Sequence, residues 1–185
     1  MKFTHAKILF LVWSLPTLLF AAADTVTPTN IKQGVRGASI SIQLDSTVTF
    51  VPVTGAKVDL GAGIEIGNVT VLGPKALNVG IQEVRCLTFV GKHSFRIINP
   101  DGTEYLSAQG ITVDFDPGRA DVNKSGRIDG FDLAYIAIAY GSLAGMRSYN
   151  HKSDLNGDGL IDQTDLAVYF TPYFGTNQAT ACNTP

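Results

Sequence analysis

Two twelve-residue segments carry the side chains best suited to chemistry in this chain. Asp121-Val122-Asn123-Lys124-Ser125-Gly126-Arg127-Ile128-Asp129-Gly130-Phe131-Asp132 recurs 33 residues later as Asp154-Leu155-Asn156-Gly157-Asp158-Gly159-Leu160-Ile161-Asp162-Gln163-Thr164-Asp165. In each copy oxygen-bearing side chains stand at positions 1, 3, 5, 9 and 12, with a glycine at 6 and an isoleucine at 8. An all-oxygen donor set on a tight loop suits a hard cation, and calcium takes about six to eight oxygens at ~2.3–2.6 Å. Asp121, Asn123, Ser125, Asp129 and Asp132, with the carbonyl of Arg127, make up the first expected site. Asp154, Asn156, Asp158, Asp162 and Asp165, with the carbonyl of Leu160, make up the second, so two calcium ions are expected. One copy alone could be an acidic Asx-rich turn, but two copies at matching positions favour the metal. Magnesium suits the loops less because it demands a smaller octahedral cage, and zinc lacks suitable ligands. Loop two has four carboxylates against three in loop one, which predicts tighter binding at loop two.

The loops need elements to position them. Gly126 and Gly159 permit the sharp bend at position 6, and Ile128 and Ile161 are expected to join the loops through a short strand contact. The loop spacing follows the EF-hand pattern. No entering helix is expected, because Asp116-Pro117-Gly118 precedes loop one and the stretch from Gly141 to Ser153 contains two glycines. Exiting helices are expected in both copies, capped by Asp129 and Asp162 with Asp132 and Asp165 three residues on. Leu133, Ile136, Ala137 and Tyr140 recur at helical spacing, as do Leu166, Tyr169, Phe170 and Tyr173, and these two stripes predict a small core. Pro172 should end or kink the second helix.

These loop-helix copies, each with Asp at position 12, resemble a dockerin domain. The resemblance implies a cohesin-type protein partner, met through Gly130, Phe131, Ala137, Ile138 and Ser142 in the first copy. In the second copy it implies Gln163, Thr164, Phe170, Thr171 and Gly175. The first helix has no charge between Asp132 and Arg147, and Phe131, Tyr135 and Ile138 form a second apolar side. Such a helix is covered either by the preceding module or by a partner.

From Val26 to Phe115 short apolar alternations are broken by turn residues. Ala38-Ile40-Ile42-Leu44, Val48-Phe50-Val53, Val58-Leu60, Ile64-Ile66, Val69-Val71 and Phe95-Ile97 predict an all-β sandwich. Gly37-Ala38-Ser39-Ile40, Ala56-Lys57-Val58-Asp59-Leu60-Gly61, Gly91-Lys92-His93-Ser94-Phe95 and Ile98-Asn99-Pro100-Asp101-Gly102 resemble the immunoglobulin-like family called IPT or TIG. The expected fold class is therefore mainly β with a small α module: an immunoglobulin-like sandwich at 26–115, then a dockerin-like pair of half EF-hand units at 116–178 and a tail at 179–185. The short connection Asp114–Gly118 predicts that the second module lies near or against the first.

Residues 1–23, with Lys2 and Lys7, an apolar run from Ile8 to Phe20 and Ala21-Ala22-Ala23, are expected to be a cleaved secretory signal. An extracellular or cell-surface protein without a membrane span follows from that reading. Cys86 and Cys182 could then pair, or Cys86 could be a small core residue in an alternating strand. Net charge is −2, with no basic run to follow a phosphate backbone, so nucleic acid is not an expected partner. His93 and His151 are the histidines of the mature chain, and no nucleophile motif accompanies them, so an enzyme is not expected. Phe50, Phe89, Phe95 and Tyr105 suit strands and core better than a sugar-binding platform, and carbohydrate stays open as a ligand. The favoured reading is a non-catalytic docking protein of an extracellular, polysaccharide-degrading or cell-surface assembly. The alternative is a structural or adhesive protein whose calcium only stabilises a module packed on the sandwich.

Overall fold

A computed structural model describes residues 23–177, Thr180 and Cys182; the expected signal segment, but for Ala23, lies outside them, as does most of the expected tail. The strands are β1 (Thr25–Thr27), β2 (Asn30–Lys32), β3 (Arg36–Gln43), β4 (Lys57–Asp59), β5 (Ile64–Gly73), β6 (Ala76–Val84), β7 (Gly91–Ile98) and β8 (Glu104–Asp114). They form two four-stranded sheets, ordered β1-β3-β6-β5 and β2-β8-β7-β4. All pairings are antiparallel except β2 with β8. Alternation places Ile40, Ile42, Leu77, Val79, Ile81, Phe95, Ile97, Ile111 and Val113 in one shared core. The mainly β architecture expected for this region is therefore present.

Two expectations fail here. Val48-Phe50-Val53 forms no strand: Val51 and Val53 are exposed and the segment is irregular. Side chains satisfy its backbone instead, Lys75 Nζ donating to the carbonyls of Val48 and Phe50, and Asn99 bonding both Val51 O and Val53 N. The alternation Val84, Cys86, Thr88, Val90 likewise stops being a strand at Val84, and residues 85–90 form a turn. Of the four aromatic residues considered for a sugar platform, Phe95 is buried with its ring tilted against Tyr105, which stacks on Phe50 at 5.5 Å. Phe89 is exposed on the 85–90 turn.

Beyond β8, Pro117–Ala120 is a single 3-10 turn started by Asp116, whose carboxylate accepts from Gly118 N. The first helix, α1, spans Gly130–Ala139. The second spans Asp165–Phe170 as a π-helix and passes into a 3-10 turn at Thr171–Tyr173, where Pro172 sits. Among the described residues no α-helix enters either loop, as expected; only the 3-10 turn at Pro117–Ala120 precedes loop one. A separate small core gathers Ala120, Val122, Ile128, Ile136, Ala139, Leu155, Ile161 and Phe170, with Phe115, Tyr149, Leu166, Tyr169 and Tyr173 packed around it. The two expected stripes are only half inside: Leu133, Ala137 and Tyr140 stay exposed. A ten-residue helix against so small a core buries one edge, here Asp132, Ile136 and Ala139. Among the described residues no helix is long and apolar enough to cross a membrane.

Gly110 sits where β8 shifts register against β7, and a Cβ there would lie 1.6 Å from the His93 carbonyl oxygen. The Gly110→Ala variant is expected to lose about 3 kcal/mol or more, at the severe end for single substitutions. Urea unfolding followed by fluorescence checks this.

Candidate functional site

The two loops fold by the same local devices. At position 1, Asp121 accepts from Ser125 N at 2.9 Å and Gly126 N at 2.6 Å, and Asp154 accepts from Gly157 N at 2.7 Å and Gly159 N at 2.9 Å. At position 12, Asp132 accepts from Asn123 N and Asp129 N, and Asp165 from Leu155 N, Asn156 N and Asp162 N. Each position-12 carboxylate thus spans its loop from position 3 to position 9. At position 9, Asp129 caps α1 by accepting from Phe131 N, and Asp162 accepts from Thr164 N in the turn that leads into the second helix. Position 6 is left-handed in both copies, Gly126 at φ +90° and Gly159 at φ +89°. Position 4 is left-handed too, with Gly157 at φ +77° and Lys124, a non-glycine, at φ +59°.

The isoleucines at position 8 do not join the two loops to each other. Ile161 exchanges backbone hydrogen bonds with Gly141 and Ser142, just past α1, while Ile128 does so with Gly175 and Thr176, just past the second helix. Each loop is therefore laced to the chain leaving the other copy's helix. The reason is the chain path: each helix is short enough that the residues following it return alongside the opposite loop.

Burial separates the members of the expected donor sets. Asp121 is 3% exposed, Asp132 0%, Asp154 2% and Asp165 0%. Asn156 is also buried, whereas Asn123, Ser125, Arg127 and Asp158 are exposed, and Asp129, Leu160 and Asp162 are half-buried. Among the described residues no group of three or more His, Cys, Asp or Glu side chains converges as a metal cluster, the carboxylates being spaced along their loops. Hard-cation fit rests instead on a mixed donor set of carboxylate, amide, hydroxyl and carbonyl oxygens. It also rests on charge. Among the described residues the ion pairs Arg36–Glu83, Arg85–Glu65, Arg96–Asp59 and Arg96–Glu104 all lie on the β-module, and none reaches a loop carboxylate. Buried carboxylates are costly without enough countercharge; buried Arg119 interacts with Asp154 and Asp165, and a divalent cation held by the loop oxygens would supply more. Burial pushes Asp165 above the ordinary carboxylate range, opposed by its backbone donors and reinforced by the neighbouring Asp154.

Arg119 is a residue that sequence reasoning missed. It is buried, and its guanidinium donates to the carbonyls of Leu155 at 2.9 Å, Asp154 at 2.6 Å and His151 at 3.2 Å. Burial lowers its pKa to about 10, with the charges of Asp154 and Asp165 acting in the opposite direction, so it stays cationic at neutral pH. Tyr149 donates to Asp154 at 2.5 Å, and burial followed by this bond pushes its hydroxyl pKa up. The only sequence signal for Arg119 is an isolated cation two residues before an acidic loop.

The residues implied as partner-binding divide. Gly130, Phe131, Ala137, Ile138, Gln163, Thr164, Thr171 and Gly175 are exposed. Ser142 is not available: it is 3% exposed and its hydroxyl donates to Ala139 O, closing the end of α1. Phe170 is not available either, being a core residue at 2% exposure.

With this geometry in view, comparison with protein families is specific. Residues 119–169 match the dockerin type I domain. The match takes in both loops, α1 and most of the second helix. Comparison with curated proteins finds no match. Among solved structures, two mutants of a type II cohesin–X–dockerin complex from Acetivibrio cellulolyticus resemble the chain, one altered at its N-terminal interface and one at its C-terminal interface. They show 15% and 16% identity at TM-scores of 0.31 and 0.32, each covering 84% of this chain and 97% of that one. The GspB Siglec domain follows at 14% identity and TM-score 0.28, covering 62% of this chain and 71% of that one. Likenesses this faint carry no argument about the fold.

Replacing Arg119 by Met would leave the carbonyls of His151, Asp154 and Leu155 without their donor. The variant is expected to lose about 2–4 kcal/mol of stability, whereas Arg127→Met, at an exposed position, should change it by less than about 0.5 kcal/mol. Chemical denaturation of both variants tests the difference.

Proposed function

We propose that this chain is a non-catalytic, exported docking protein that attaches by its dockerin segment, in a calcium-dependent manner, to a cohesin-type domain. In this reading residues 26–115 are an immunoglobulin-like spacer or second binding surface, and residues 116–178 are the docking module. Two calcium ions are held, one by Asp121, Asn123, Ser125, Asp129, Asp132 and the Arg127 carbonyl. The other is held by Asp154, Asn156, Asp158, Asp162, Asp165 and the Leu160 carbonyl. The assembly it serves is extracellular, of the polysaccharide-degrading or cell-surface kind.

One observation carries the reading: α1, within the segment that matches the dockerin type I domain, has a bare apolar face. Phe131 is 74% exposed, Ile138 80% and Tyr135 49%, and no charged residue lies between Asp132 and Arg147. The β-module does not cover this face. It meets the dockerin segment elsewhere, through a hydrogen bond of 2.7 Å from Val90 N to Asn156 O in loop two. The variant of the structural reading in which α1 is buried on the sandwich therefore lacks support.

Calorimetric titration of the full chain is expected to give about two calcium ions per molecule. Surface plasmon resonance against a panel of cohesin-type domains is expected to give binding that chelator abolishes. Ile138→Asp should weaken that binding by about 2 kcal/mol or more without lowering calcium uptake. Calcium uptake with no cohesin-type binding by the native chain would sink the docking assignment.

A further inference from the structure

We propose that the 85–90 turn of the β-module braces calcium loop two and leaves loop one unsupported, so that the two sites differ in order before metal arrives and fill in sequence, loop two first. The inference rests on the calcium reading above and extends it to a part of the chain outside the loops.

The turn touches loop two backbone to backbone. Besides the Val90–Asn156 hydrogen bond, a Cβ on Gly157 would stand 3.0 Å from Leu87 O and 3.2 Å from both the N and Cα of Phe89. Glycine suits this position on two counts, its left-handed φ and the close approach of the turn. The turn is itself held fast. Thr88 is pinned by Gln33 Nε2 donating to its carbonyl at 2.7 Å and by its own hydroxyl donating to Gly63 O at 3.0 Å. The other end of the Gln33 amide accepts from Asp116 N, and the Asp116 carboxylate accepts from Cys182 N at 3.3 Å. Cys182 is disulfide-bonded to Cys86, in the same turn, 96 residues apart in sequence. A closed circuit of one covalent link and buried hydrogen bonds thus joins the turn, the inter-module connection and the C-terminal tail. Arg119 also holds the start of loop two, through the carbonyls of Asp154 and Leu155 and that of His151 just before it.

Loop one has none of this. Among the described residues no hydrogen bond joins the β-module to 121–132. A cleft of about 610 Å³ separates them instead, with Arg36, Glu83 and Leu87 on one wall and Asp121, Val122 and Lys124 on the other. Lys152, which stands 33 residues after Arg119, is exposed and braces nothing in loop one. Lys124 occupies the position-4 left-handed conformation that glycine fills in loop two. A loop ordered beforehand gives up less conformational freedom when its oxygens close on an ion, so the brace raises affinity at loop two alone.

The test uses the full chain in two single-site forms, Asp132→Asn to report loop two and Asp165→Asn to report loop one, each with and without Cys86→Ser/Cys182→Ser. Calcium titration is expected to show loop two binding at least about tenfold more tightly than loop one, with the serine pair removing most of that advantage and changing loop one less than about twofold. A readout free of metal accompanies it: in the calcium-free native chain, amides of 156–160 should exchange with deuterium more slowly than those of 123–127. The serine pair should speed exchange in loop two only, with the sheet amides of β6 and β7 as the internal check on folding. Equal affinities, equal exchange, or a disulfide effect of the same size on both loops would overturn the brace. Absence of calcium uptake in the native chain would overturn the calcium reading and the filling order together, while the exchange difference would still report on the brace itself.

Discussion

Buried carboxylates organise the C-terminal module, and most of its geometry can be derived from them. Asp132 and Asp165 are fully enclosed, yet each is bonded to backbone N–H groups at both ends of its own loop. Asp121 and Asp154 do the same for the bend at position 6. Donors of this kind lower the cost of enclosing the charge without cancelling it. The structure leaves a local excess of negative charge at the centre of a module whose apolar core is small. A divalent cation would offset that excess and add the order that a core of this size supplies poorly.

What was legible in the sequence was whatever depends on spacing alone. The 33-residue repeat, glycine at position 6, the Asp129 cap and the Asp162 turn, the missing entering helices and the alternation in β3, β6 and β7 are all local matters. What was not legible depends on where distant segments meet. Ile128 and Ile161 looked like partners because both are apolar at the same loop position, but the chain path gives each a different backbone neighbour. Ser142 and Phe170 fall at positions that the dockerin resemblance implied as partner-binding, and here the end of α1 and the small core claim them. Val48–Val53 has strand-like residues, but the distant side chains of Lys75 and Asn99 bond its backbone instead of a neighbouring strand. Cys86 and Cys182 could not be paired from sequence, since the pairing needs the turn after β6 to lie beside the tail, with 5.5 Å between their Cα atoms.

Arg119 shows the same limit from the other direction. A single arginine beside Gly118 and Ala120 gives no pattern, and its meaning emerges only when two carbonyls of loop two and that of His151 just before it converge on it. Its position is informative nonetheless: it lies at the start of one repeat and bonds to the other. The two repeats are therefore not interchangeable even though their loops share a pattern. One is held between a buried cation and the β-module, and its counterpart borders an open cleft.

That asymmetry bears on how the module would meet a partner. The surface of loop two is partly spent on the β-module, so a symmetric use of both repeats would have to displace contacts the chain already makes. The α1 face carries no such cost, since Phe131, Tyr135 and Ile138 project away from both cores. On the other side of α1, between Leu133, Ile136, Ala137, Tyr140 and Leu166, lies a groove of about 350 Å³ lined by apolar side chains. A partner seated there gains mainly by covering apolar surface, with shape deciding the fit, and its grip should depend little on salt because the helix offers no charge to screen.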